Sequence, residues 1–119
     1  MKRPGIALLA AGSLAACAGN AASRGEELYR GHYTTGFEMS GFGPCGSTES
    51  WWVGGKLGPV NAFLRTLPDS VQRDYPTLYV EWRGVASAPG RYGHMGVYSR
   101  ELRVDTVLVV RRKGPADCR

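Results

Sequence analysis

A mainly β domain with one short helix is what this sequence predicts, and three features predict it. Glycine fills 17 of the 119 positions, about twice its usual share, while proline at 7 is near average. Apolar and polar residues alternate with period two over several separate stretches, the repeat of a strand with one covered face. Only one stretch has the 3.6-residue repeat of a helix. The length suits one small domain and excludes a multidomain enzyme.

The first strand is expected within Tyr29 to Phe42, where Tyr33, Thr35, Phe37 and Met39 alternate with Thr34, Gly36, Glu38 and Ser40. Gly31, Gly36 and Gly41 in or beside it suggest the bends of a strongly coiled barrel. A second strand is expected at Thr48 to Gly54, around Trp51, Trp52 and Val53. The period then changes: Val60, Phe63, Leu64 and Leu67 stand at i, i+3, i+4 and i+7, so a helix is predicted from Pro59 to Thr66. Pro59 suits its first turn and Pro68 stops it. From Pro76 the alternation returns, with Leu78, Val80, Trp82 and Ala86 opposed to Tyr79, Glu81, Arg83 and Val85. A glycine-rich loop from Ala88 to Gly96 leads to a last strand, in which Leu102, Val104, Thr106, Leu108 and Val110 alternate with Arg103, Asp105, Val107, Val109 and Arg111.

Four or five strands, glycine bends, one helix and a span of about ninety residues resemble a small oligonucleotide/oligosaccharide-binding (OB) type barrel. The predicted helix follows the second strand, earlier than its usual place between the third and fourth. A half-open α+β sheet or a small sandwich are the alternatives.

The N-terminus reads as an export leader. Met1-Lys2-Arg3 precedes the apolar run Ile6 to Ala16, which is too short to span a bilayer, and the polar sequence Gly19 to Glu27 follows soon after. Leu14-Ala15-Ala16-Cys17 resembles the lipobox of bacterial lipoprotein precursors. That resemblance implies cleavage before Cys17, a diacylglyceryl thioether on its sulfur and acylation of the new amino terminus. Several acyl chains anchor stably where one does not. Ala18 after the cysteine would then permit sorting to the outer membrane, facing the periplasm. An ordinary secretory signal with Cys17 incidental is the rival reading. The expected organisation is a leader over 1–16, a lipidated cysteine and tether over 17–27, and a single domain over 28–119.

The formal net charge of +5 changes meaning on this reading. Lys2 and Arg3 leave with the leader, and Arg111, Arg112, Lys113 and Arg119 against Asp117 hold the rest in the last nine residues. Residues 17–110 balance nine basic with nine acidic side chains. A neutral exported body argues against nucleic acid as a partner.

With Cys17 assigned to lipid, Cys45 and Cys118 are an even pair in an oxidising compartment, and a disulfide between them is expected, with two free thiols as the alternative. Such a bridge over more than seventy residues is worth about 4 kcal/mol on chain-entropy grounds.

Residues with chemical potential are sparse. Gly41-Phe42-Gly43-Pro44-Cys45-Gly46 has the spelling of a dinucleotide loop, but the residues after it read as a strand rather than the helix that such a site needs. His32 and His94 are the only histidines; His94-Met95, with Met39 and His32, suggests at most a weak soft-metal site. Glu38, Glu49 and Glu81 would make a carboxylate pair only if their strands were adjacent. No cofactor is implied. The aromatic residues carry more: adjacent Trp51 and Trp52 must face opposite sides of a strand, and Trp51, Trp52, Arg91 and Tyr92 are the candidate binding surface. The function expected is therefore a lipid-anchored envelope module, a non-enzyme that binds a protein, peptide or glycan or serves a structural role. The alternative is a small copper- or zinc-handling or catalytic periplasmic protein built on His94.

Overall fold

A computed structural model of the chain describes Gly5 and residues 23–119. Apart from Gly5, the leader lies outside the described residues, as do the lipidation candidate Cys17 and the tether as far as residue 22. The first strand, β1 (Ser23–Gly36), takes in residues 23–27, which composition had assigned to the tether. Their pairing is with the β4 backbone, Ser23 opposite Ser87 and, past an irregularity, Glu26 opposite Val85 and Glu27 opposite Gly84, so charged side chains do not prevent it.

The segment predicted as one strand is a hairpin. β1 turns at Phe37 and Glu38 into β2 (Met39–Pro44), with Tyr33 opposite Phe42 and Gly36 opposite Met39. Odd-numbered residues thereby face even-numbered ones, and the inward face switches parity across the turn. Tyr33 and Phe42 are both buried, whereas Met39 is exposed.

After β3 (Trp51–Gly55) the chain forms α1 (Gly58–Leu64), with proline in its first turn as predicted. Val60 is buried, and Phe63, Leu64 and Leu67 pack on the same core, which is the face the spacing gave. Pro68 stops α1 but also begins a second helix, α2 (Asp69–Arg73), so the described residues form two short α-helices where one was expected. Its extended ψ of 147° places it as the residue before the first helical turn. Two strands complete the sheet, β4 (Thr77–Ser87) and β5 (Glu101–Arg112).

The five strands close into a barrel in the order β1-β2-β3-β5-β4, with β4 returning to β1. All neighbours are antiparallel except β3 and β5. A closed ring excludes the half-open sheet and the sandwich. Because the first segment is two strands, the helices fall between the third and fourth strands, the usual place in an OB-type barrel.

Trp82 and Phe42 are the largest of the side chains that the strands and α1 seal in the centre, with ring centroids 5.1 Å apart. β5 departs from its predicted alternation. Trp82 pairs with Val107 and Glu81 with Val109, while Arg83 pairs with Thr106 and Gly84 with Val104, so Leu108 and Asp105 are each an extra residue bulged out of register. Thr106 and Leu108, on the predicted face of Leu102, Val104 and Val110, are exposed; Val110 keeps to the core, and Val107 from the opposite face packs there too. Gly84 permits this curvature, since a Cβ there would sit 2.4 Å from the Arg103 carbonyl oxygen.

Candidate functional site

Trp51 and Trp52 do face opposite sides, and neither is a free platform. Trp51 points into the barrel, 3% exposed, edge-on to Tyr29 at 5.3 Å and with the Arg100 guanidinium 5.8 Å from its ring. Trp52 faces outward, but the β4–β5 loop folds over it. Its ring meets Tyr98 edge-on at 5.1 Å, and the Gly93 backbone, at φ 67°, runs so close that a Cβ would lie 2.4 Å from the indole. The Tyr98 ring in turn covers Gly41, the residue opposite Trp52 on β2.

That loop is a small hairpin fastened at its base. Tyr92 N–H donates to Tyr98 O at 3.0 Å and Tyr98 N–H returns the bond at 3.3 Å, while Ser99 N–H reaches Ser50 O at 3.1 Å. The Tyr92 hydroxyl, a candidate for ligand contact, is spent on Ala88 O at 2.8 Å. Arg91 is exposed beside it. Of the predicted binding surface, then, Trp51 is core, Trp52 and Tyr92 build the loop's seat, and Arg91 alone projects to solvent.

The tip of the loop brings His94 to the β1–β2 turn, with Nε2 3.2 Å from Glu38 Oε2. Around that link stand four apolar side chains in water: Phe37 at 79% exposure and Met39 at 38% from the turn, Met95 at 81% and Val97 at 73% from the loop. Glu38 and Met95 are held at φ 54° and 60°, a region costly for residues with a side chain. Sequence reasoning singled out His94, Met95 and Met39 for metal chemistry but missed Phe37 and Val97. No signal was available for Phe37, because the alternation ran on through the turn that exposes it. Among the described residues no three His, Cys, Asp or Glu side chains gather as metal ligands. Glu38, Glu49 and Glu81 lie on separate partners, His94, Ser99 and Tyr79.

A polar cluster missed in the sequence lies at the C-terminus. The Asp117 carboxyl, 2% exposed, accepts from Gly114 N–H at 2.8 Å, lies 2.8 Å from His32 Nε2 on β1, and pairs with Arg111 of β5 at 2.6 Å. Burial pushes its pKa up, but the Gly114 and His32 hydrogen bonds and the Arg111 charge more than offset this and hold it at about 2. Arg111 also lies over the Tyr79 ring at 4.2 Å. Burial, and then the bond to Glu81, push the Tyr79 hydroxyl pKa above its ordinary value. Next to Asp117, Cys118 is joined to Cys45 with their Cα atoms 5.2 Å apart, the pairing expected from cysteine arithmetic. The cluster ties β1, β5 and the tail together. Comparison with protein-family models, curated proteins and solved structures finds no match to this chain.

Proposed function

We propose that this chain is an exported, lipid-anchored protein of a bacterial envelope, at the outer membrane facing the periplasm, that acts by binding a protein partner rather than by catalysis. One observation carries the binding part: Phe37, Met39, Met95 and Val97 project into water from a turn and a loop that are joined by Glu38 and His94. Exposed apolar side chains gathered in this way mark an interaction site. Flexible thioethers and an unflanked phenyl ring suit an apolar protein surface. The Trp52 ring, the sequence's candidate for stacking on a sugar, is occupied with Tyr98 and the Gly93 backbone. The anchor rests on the leader and on Leu14-Ala15-Ala16-Cys17.

A photo-crosslinking residue at position 37, carried in the native envelope, is expected to give a discrete adduct that disappears with Met95→Ser and Val97→Ser while the chain stays folded and oxidised. The same residue at exposed Asp69 on α2 is expected to give none. Equal adducts at both positions, or none at position 37, would overturn the reading. Stoichiometric copper or zinc binding lost in His94→Ala would favour metal handling instead.

A further inference from the structure

Across the barrel from β2 and β3, the outer face of β1, β4 and β5 mixes arginine and aliphatic side chains with glutamates. Register places Glu26 beside Val85 and Arg103, then Leu28 beside Arg83 and Thr106, then Arg30 beside Glu81 and Val109. Leu28 and Leu108 are each 51% exposed and Val85 39%, three aliphatic side chains open to water on one face of the barrel. Arg30, Arg83 and Arg103 stand among them in water. Of the acids on this face, Glu81 accepts from the Tyr79 hydroxyl at 3.1 Å and Asp105 at the rim is held by Lys56 at 3.1 Å, while Glu26 and Glu101 are exposed at the end nearest Ser23.

The start of the described chain determines what this face meets. Ser23 pairs with Ser87 at the end of β4, beside a groove lined by Val85, Ala86, Ser87, Glu101 and Arg103. Cys17 stands only six residues earlier. Six residues reach at most about 20 Å when fully extended and about 13 Å on average as a flexible chain. If Cys17 is acylated, as the proposed function has it, this corner of the barrel is held within that distance of the headgroups. A tether so short gives the adjacent face an effective concentration of millimolar order at the membrane, so individually weak contacts suffice.

We propose that the outer face of β1, β4 and β5 lies on the anionic phospholipid surface in which Cys17 is anchored, with Leu28, Val85 and Leu108 at the headgroup boundary and Arg30, Arg83 and Arg103 on lipid phosphates. Arginine suits that role because its planar fork pairs with phosphate oxygens while its stem covers apolar surface. The orientation turns the Phe37 and Met95 tip away from the bilayer, toward partners in the aqueous space.

The test uses the mature lipidated chain in vesicles of phosphatidylcholine with one quarter phosphatidylglycerol. An environment-sensitive fluorophore is attached at Leu28→Cys or at Phe37→Cys, and headgroup-labelled quencher lipids report contact. Strong quenching at position 28 and little at 37 is expected. Arg83→Gln with Arg103→Gln should release the face without releasing the chain, each arginine being worth about fivefold in contact with an anionic surface. Quenching at position 28 should then fall toward that seen in pure phosphatidylcholine or in high salt. Equal quenching at both positions, or no response to the two glutamines, would overturn the orientation while leaving the anchor intact. A mature chain whose mass lacks the acyl groups would overturn the anchor and the orientation together.

Discussion

Replacing Trp51 and replacing Trp52 should have different consequences, because one strand step puts them in different environments. Trp51 is sealed between Tyr29 and Phe42, so Trp51→Ala removes a core ring and is expected to cost about 3–5 kcal/mol, enough to unfold a domain of this size. Trp52 is half-buried and its contacts are with the loop, through Tyr98 and the Gly93 backbone. Trp52→Ala should leave the barrel folded while the amides of residues 90–98 lose protection. Hydrogen exchange read by segment, alongside a denaturant titration, separates the two results. Equal loss of stability in both variants would show that the loop is part of the cooperative core.

At the scale of elements, the β1–β2 turn is where the sequence misled. Two-residue hairpin turns are usually announced by Asn-Gly or Asp-Gly, and Phe37-Glu38 carries neither signal. The alternation through Tyr33, Thr35, Phe37 and Met39 ran across the turn and hid the change of face. The same turn yields a prediction: Glu38 sits at φ 54°, a region that asparagine enters at lower cost, and its pair with His94 is half exposed and worth little. Glu38→Asn should therefore raise stability by roughly 0.5–1 kcal/mol, measured as a shift in the denaturation midpoint. A loss of more than 1 kcal/mol would mean that the ion pair matters more than the backbone. α1 and β4 were legible because their periodicity is strong and local. The bulges of β5 were not, since Asp105 and Leu108 are displaced by register with β4 and no local pattern records that. The candidate site was legible only in part: His94 and Met95 were singled out beside a glycine loop, but the loop's meeting with the β1–β2 turn depends on the His94–Glu38 contact across more than fifty residues of chain.

For the whole molecule, the C-terminal tail is what fastens the closed ring. The Cys45–Cys118 bridge spans a separation of 73 residues, and removing it is expected to cost about 4 kcal/mol through the entropy returned to the unfolded chain. Asp117 works beside it, joining β1 through His32 and β5 through Arg111. The two fastenings depend on each other, because the bridge holds the tail where the carboxyl can meet its partners. Asp117 is depressed to about 2 in the fold, below the ordinary carboxylate value of 3.8. A lowered folded pKa means that its stabilisation is complete above pH 4 to 5 and is lost as pH falls from there toward 2. In denaturant titrations at pH 6 and pH 2.5, the native chain should therefore lose more stability than Asp117→Asn. That difference should shrink once the bridge is removed by Cys45→Ser with Cys118→Ser, since a released tail no longer presents the carboxyl to His32 and Arg111. An acid loss in the bridge-free chain that still depends fully on Asp117 would show that the carboxyl holds the tail unaided.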